Sequence, residues 1–280
     1  MRRLIVLGSV TGAPGVTTTA LAVAAAWAPQ ADGGVRPVMV EAGVWGGELT
    51  TRCGVPHTPG LLDVASAVRQ PQPGSLLGAA SELPFGARAV VAPSGRRACT
   101  EAVRMLASPT GRRVLLGDDH DQGAVLLDVG RINEDVEPLL DCADDVVLVT
   151  RGAPEALTHV YAHGLDDHTV KDALLAVVGP CAYAAPEIAE TLGMERVVSL
   201  PWDVRTVGLM RSRRRIVLRT SGFRTPPLMT AARGLALQLS GSASATDKKQ
   251  ARTATPSDDL PAMVGRVHTG LTELPDGEGK

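Results

Sequence analysis

A glycine-rich segment near the N-terminus is the part of the sequence best suited to bind an anion. It reads Gly8-Ser-Val-Thr-Gly-Ala-Pro-Gly-Val-Thr-Thr-Thr19, follows the apolar residues 4–7 and leads into the alanine-rich residues 17–27. A strand, a glycine loop and a helix N-terminus in this order present backbone N–H groups to a phosphate, and the helix dipole favours its negative charge. The segment therefore predicts a phosphate-binding site.

The side chain that grips the terminal phosphates of a nucleotide is missing from this loop. Phosphate-binding loops end in Gly-Lys-Ser or Gly-Lys-Thr, whereas this one ends in Gly15-Val16-Thr17. Valine carries no charge, and Pro14 removes one backbone N–H from the loop. The Thr17 hydroxyl can still bind Mg²⁺, and Asp128, at the end of a later apolar run, can hold that ion through water. We therefore predict a magnesium–nucleotide site with a weakened hold on the terminal phosphates.

Composition places the chain among folded α/β proteins. Its 280 residues are 44% hydrophobic, which is enough to bury a sizeable core in one domain. A net charge of −2 predicts neither a nucleic-acid-binding protein nor a membrane-surface protein. The sequence lacks both a run of ~18 apolar residues and a signal peptide, so we expect a cytoplasmic protein without a transmembrane segment. The four cysteines are scattered without a C-x-x-C pair, which is typical of reduced, packed thiols.

Short apolar runs alternate with helical stretches over the first 240 residues. Several runs are continuously aliphatic, as in strands buried on both faces of a mostly parallel sheet. The alternation predicts a doubly wound α/β fold with helices on both faces and ligands at the carboxyl ends of the strands. The predicted strands are 4–7, 38–40, 89–92, 124–127, 146–150, 174–178 and 197–200. The predicted helices are 17–27, 61–69, 97–106, 154–163, 186–192, 204–210 and 228–239.

Residues 241–280 form a polar tail, which we predict to be a separate, disordered segment because its composition shifts to Ser, Thr, Ala, Asp, Lys and Pro. Part of the tail has a second interpretation. Within residues 258–274, apolar side chains recur at helical spacing, which would suit a short helix that docks on a partner or touches a membrane.

The order of motifs resembles the ParA/MinD family of deviant-Walker ATPases, which position DNA, division sites, pili and other cargo in bacteria. The family loop reads Lys-Gly-Gly-x-Gly-Lys-Thr-Thr. This chain has both of its bracketing glycines and both threonines, and it replaces the two lysines by Thr11 and Val16. The aligned residues are Thr11, Gly12, Ala13, Pro14, Gly15, Val16, Thr17 and Thr18.

Later segments keep the family's order. Glu41 stands at the first position of an acidic motif that helps to orient the attacking water, and Gly43 replaces the second acid. Asp128 matches the acid that supports magnesium, and residues 143–150 match a strand that ends in a Thr-x-Pro-like turn. Pro201 and Asp203 match a loop near the adenine. The resemblance covers about residues 3–240 and implies a P-loop NTPase fold over residues 1–240.

The resemblance also implies a function. Family members bind ATP and Mg²⁺, form homodimers and engage a protein partner. We expect a positioning, partitioning, or secretion and pilus-assembly role with weak or lost hydrolysis, and the pilus-localisation (TadZ/CpaE-like) branch tolerates eroded loops of this kind. Two alternatives stay open. One is an active partition ATPase in which arginines replace the lysines, and the other is an amidoligase of the cobyrinate or dethiobiotin synthetase fold.

Arginines are the available replacements for the missing lysines, because the predicted domain contains a single lysine, Lys171. Arg131 lies three residues after Asp128, at the end of the same strand, and can reach a phosphate. A basic cluster, defined as Arg211, Arg213, Arg214 and Arg215, suits a phosphate or nonspecific DNA contact. The alternative interpretation is a solvated charged face for the basic cluster and a surface or interface salt bridge for Arg131. His159 and His163 have metal-compatible spacing, but no third ligand stands at a suitable spacing, so an exposed helix end is the favoured interpretation.

Overall fold

The computed structural model describes residues 1–12, 14–70, 74–164, 172–220, 222 and 224–253. The chain divides into two compact units, Met1–Ser242 and Ala243–Lys280. The tail helix predicted over residues 258–274 lies outside the described residues.

One sheet of eight strands organises the first unit. The order is β3-β4-β2-β5-β1-β6-β7-β8, and every neighbouring pair is parallel except β3 and β4. All seven predicted strands are confirmed, whereas the two-residue β3 was not predicted because it is too short to carry a pattern. The strands are β1 Arg3–Ser9, β2 Val38–Glu41, β3 Ser81–Glu82, β4 Arg88–Val90, β5 Ala124–Arg131, β6 Asp145–Arg151, β7 Leu174–Val178 and β8 Arg196–Leu200.

Helices follow most of the strands. Four helices were not predicted: Leu49–Cys53 (α2, five residues), Ser75–Gly78 (α4, four), Glu137–Leu140 (α7, four) and Pro109–Leu116 (α6, eight). The first three are too short to show a helical period, and α6 begins at Pro109 behind a Ser108 cap. The helices are α1 Val16–Ala26, α2 Leu49–Cys53, α3 Leu61–Ser66, α4 Ser75–Gly78, α5 Arg96–Ala107, α6 Pro109–Leu116, α7 Glu137–Leu140, α8 Pro154–Gly164, α9 Ala185–Leu192, α10 Val204–Met210 and α11 Pro227–Thr253.

The last helix is longer than its predicted span of 228–239. It continues to Thr253, through residues that we expected to begin a disordered tail. Residues 242–253 are rich in Ala, Lys, Gln and Arg, which have high helix propensity, and this composition accounts for the extension.

No helix in the described ranges combines the length and the apolar character needed to cross a bilayer.

Each face of the sheet carries its own apolar core. Along β1, Leu4 and Val6 point into one core while Ile5 and Leu7 point into the other. The first core is covered by α3, α5, α6, α7 and α8, and the second by α1, α10 and α11. The sheet is therefore buried on both faces, as the continuous aliphatic runs predicted, and its carboxyl edge is left to carry a site.

Candidate nucleotide site

A cavity of about 580 Å³ opens at the carboxyl edge of the sheet. Because the central strands are parallel, the residues that follow β1, β2, β5, β6 and β8 meet at this edge. Ala13 lies outside the described residues. The other candidate site residues from the sequence all line the cavity: Gly12, Pro14, Gly15, Val16, Thr17, Thr18, Glu41, Asp128, Arg131, Pro201 and Asp203.

The glycine loop turns into α1 at Gly15. This residue has φ of 109°, a left-handed conformation that favours glycine, and it forms the N-cap of the helix. Val16, at the position of the missing lysine, is only 6% exposed and belongs to the core that contains Leu7 and Leu21. Position 16 therefore contributes a backbone N–H and packing, but no charge, to the site.

Thr17 and Asp128 both line the cavity, and their side chains interact. Asp128 is 2% exposed, and burial raises the pKa of its carboxyl to about 6, against the opposing effects of a hydrogen bond from the Thr17 side chain and one from the Gly130 amide. The Gly130 nitrogen lies 3.0 Å from Asp128 Oδ1. A hydroxyl beside a buried carboxylate at a helix N-terminus is a donor set that suits Mg²⁺.

Glu41 is held by three backbone amides. Its Oε1 accepts hydrogen bonds from the nitrogens of Glu48 at 2.6 Å and Leu49 at 3.1 Å, and its Oε2 accepts one from Ala92 at 3.0 Å. Burial raises the pKa of Glu41, while these amides oppose the rise. A side chain at Gly47 would collide with this carboxylate. Glu41 thus joins the end of β2 to the start of α2 and to the segment after β4, and its role in orienting water stays a prediction.

Asp203 fixes the loop between β8 and α10. Its carboxylate caps α10 by accepting hydrogen bonds from the Thr206 amide at 2.9 Å and the Thr206 hydroxyl at 2.6 Å, and it also accepts one from the Leu228 amide at 3.5 Å. Partial burial acts to raise the pKa of Asp203, but the hydrogen bonds from Thr206, Leu228 and Arg205 together outweigh it and lower the pKa. The cap leaves Trp202, which is 55% exposed, at the cavity wall.

Sequence reasoning missed two arginines of the cavity. Arg52 lines it and pairs with Glu48. Arg151, the last residue of β6, also lines it and places its guanidinium carbon 4.1 Å from the centre of the Trp202 ring. The sequence did contain a signal for Arg151, because this residue directly follows the predicted strand 146–150. The sequence did not show, however, that Trp202 lies beside it.

The basic cluster is divided between two environments. Arg211 lines the cavity, whereas Arg213 donates a hydrogen bond to the Thr51 carbonyl at 3.2 Å, beside the end of α2. Arg214 and Arg215 are exposed.

Metal-ligating side chains outside this cavity are dispersed. His159 and His163 are exposed on α8, while Lys171 and the polar residues 166–168 fall outside the described ranges. Within the part of the chain that the structure describes, no group of three or more His, Cys, Asp or Glu side chains could hold a metal ion. All four cysteines are free.

A mostly parallel sheet with β1 near its centre, a glycine loop leading into α1 and a buried acid on β5 define a P-loop NTPase fold of the ParA/MinD type. Solved structures with this fold include a ParA family ATPase from Chlorobium tepidum TLS, 15% identical, with a TM-score of 0.65 over 85% of this chain and 98% of that one. Septum site-determining protein MinD with Mg-ADP from Pyrococcus horikoshii OT3 is 16% identical, with a TM-score of 0.64 over 85% and 96% of the two chains.

A third similar structure is the MinC:MinD cell division protein complex from Aquifex aeolicus, 16% identical, with a TM-score of 0.62 over 85% of this chain and 96% of that one. No protein-family model matches the sequence, and the comparison with curated proteins gives no match. At these identities the likeness establishes the fold.

Proposed function

We propose that this chain is a ParA/MinD-like nucleotide-binding switch with a degenerate ATP site. It binds ATP with Mg²⁺ in the cavity, dimerises and engages a protein partner in an intracellular positioning, partitioning, or secretion and pilus-assembly system. The observation that carries this proposal is the Thr17–Asp128 contact at the start of α1, beside a Val16 that is packed into the core.

The cavity suits a magnesium nucleotide. Thr17 and Asp128 would hold the ion, which supplies positive charge to the phosphates when it is bound. The N-terminus of the 11-residue α1 adds backbone N–H groups and the positive end of a helix dipole. The similar MinD structure from Pyrococcus horikoshii contains Mg-ADP, which supports this assignment by analogy of fold.

Hydrolysis should be slow or absent. Val16 brings no charge to the terminal phosphates, and Pro14 brings no N–H. The Glu41 carboxylate already accepts three backbone hydrogen bonds, so little of its capacity is left for a water molecule.

Exposed apolar side chains around the cavity support a protein partner or a second copy of the chain on this face. Trp45 is 61% exposed and Val204 is 67% exposed, and both line the cavity with Trp202. Exposed large apolar groups that lie close together are typical of interaction surfaces. The MinC:MinD complex is an example of partner binding on the same fold.

Calorimetry with ATP, with and without Mg²⁺, tests the proposal, together with a sensitive assay of phosphate release. We expect Mg²⁺-dependent ATP binding, very slow turnover and a larger molar mass by light scattering when MgATP is present. An affinity for ATP weaker than about millimolar would overturn the proposal of a nucleotide-binding switch. Rapid turnover that Asp128→Ala abolishes would instead establish the active ATPase, with arginines in place of the lysines.

A further inference from the structure

Arg151 reaches the cavity from the strand next to the phosphate loop. Strand β6 pairs with β1, with Leu148 opposite Gly8, and Arg151 lies three residues further along at the carboxyl end. Its side chain lines the same cavity as Thr17. Arg151 therefore lies at the carboxyl edge of the sheet, in the cavity where we place the nucleotide.

The guanidinium of Arg151 is oriented by an aromatic ring and not by an acid. Its carbon lies 4.1 Å from the Trp202 ring centre, a distance typical of a cation–π contact. Among the described residues, no carboxylate forms a salt bridge with Arg151. Because no acid holds the guanidinium, an anion competes for it only with the weaker cation–π contact.

The other arginines of the cavity are less suited to replace a lysine. Arg52 is already paired with Glu48, which competes with a phosphate for its charge. Arg131 and Arg211 are exposed, so water screens their charges more than that of the half-buried Arg151.

We propose that Arg151 takes the place of the missing loop lysine and binds the phosphate chain of the nucleotide, exchanging the face of Trp202 for phosphate oxygens. Trp202 holds the guanidinium over the cavity until a ligand arrives. The exchange converts a cation–π contact into charge-assisted, bidentate hydrogen bonds, which are stronger. This inference rests on the proposed nucleotide function.

The test compares two arginines that stack on a tryptophan at the same distance. Arg96 stacks on Trp45 at 4.1 Å, as Arg151 does on Trp202, but Arg96 does not line the cavity. Calorimetry with two probes, MgATP and magnesium tripolyphosphate, is applied to Arg151→Gln and to Arg96→Gln. We expect Arg151→Gln to lower the affinity for both probes by about 10-fold or more, since a hydrogen bond to a charged group is lost. The affinities of Arg96→Gln should stay within about twofold of those of the wild type.

Loss of affinity for MgATP alone would mean that Arg151 contacts the nucleobase, and it would overturn the proposal. An Arg151→Gln protein with wild-type affinity for both probes would overturn it as well, while the nucleotide function stands. A wild-type protein that binds neither probe would overturn both. Arg151→Lys, which keeps the charge, should retain more affinity than Arg151→Gln, and melting curves confirm that each variant is folded.

Fluorescence tests the exchange itself. The emission of Trp202 is isolated as the difference between Trp45→Phe and a Trp45→Phe/Trp202→Phe double variant. Tripolyphosphate has no base that could stack on the indole, so a change of this signal on binding reports the departure of the guanidinium. An unchanged Trp202 signal at saturating tripolyphosphate would contradict the exchange.

Discussion

The side chain of Thr17 interacts with the buried carboxylate of Asp128 and lowers its pKa against the effect of burial, which links the start of α1 to β5. Replacing Thr17 by Val removes the hydroxyl with little change of shape. We expect the variant to lose about 10-fold or more of its Mg²⁺-dependent ATP affinity, because one ligand of the ion is gone. Titrations with and without Mg²⁺ measure the difference, and Thr230→Val, an exposed threonine of α11, serves as the control. Equal Mg²⁺ dependence in wild type and Thr17→Val would argue against the magnesium site.

Restoring a lysine at position 16 should have opposite effects on stability and on binding. Val16 is nearly buried, so Val16→Lys should lower the free energy of unfolding of the ligand-free protein by about 1–3 kcal/mol. The added charge should make the rise in melting temperature on adding MgATP larger than in the wild type, because tighter binding to the native state increases stabilisation. Thermal melts at several ATP concentrations check both effects. A smaller rise than in the wild type would show that the lysine cannot reach the phosphates.

Glu41 should be important for stability, whatever its part in hydrolysis. Glu41→Gln keeps the shape, but its NH₂ group cannot accept a hydrogen bond, so at least one backbone amide loses its partner. We expect the free energy of unfolding to fall by about 1–3 kcal/mol. Urea unfolding measures the change, with Glu101→Gln on the exposed face of α5 as the matched control. A loss of stability no larger than that of the control would mean that water satisfies the backbone amide that lost its partner.

The Asp203 cap should contribute a pH-dependent part of the stability. Asp203→Ala should cost about 1 kcal/mol at neutral pH. The lowered pKa of Asp203 means that the charge-dependent stabilisation is present above the unfolded pKa of ~3.9 and is lost as the pH falls through the folded pKa. The difference in unfolding free energy between the wild type and Asp203→Asn, which keeps a capping oxygen without charge, should therefore shrink at acidic pH. If this difference in unfolding free energy did not change with pH, the contribution of Asp203 would come from the shape of its side chain and not from its charge.

Two arginines of the basic cluster should act on DNA without acting on the fold. Arg214 and Arg215 are exposed, whereas Arg213 contacts α2. If the protein contacts DNA here, an Arg214→Ala/Arg215→Ala variant should show weaker, less salt-dependent retention of nonspecific DNA at unchanged melting temperature. If the variant retained DNA as well as the wild type does, Arg214 and Arg215 would be solvated surface residues that do not contact DNA. Arg213→Ala, studied separately, should lower the melting temperature.

The parts of the fold that depend on local pattern could be predicted from the sequence. The aliphatic run of β1 and the glycine turn at Gly15 each carry their own signal. The contacts of Glu41 could not be predicted, because Ala92 is 51 residues away along the chain and meets Glu41 only through the pairing of β2 with β4. Arg151 and Trp202 are likewise 51 positions apart in sequence, and only the order β6-β7-β8 brings them together.

The three hydrogen bonds at Glu41 restrict which segments can change conformation when a ligand binds. In a nucleotide-driven switch, some segment beside the phosphates has to change conformation when the ligand does. The connection between β2 and α2 is tied to the strand edge by Glu41, so it resists such a change. The Arg151–Trp202 stack, by contrast, is held by a single weak contact. A conformational change caused by the bound ligand would therefore occur on the side of β6, β7 and β8. There α10 would transmit the change to a partner bound on that side.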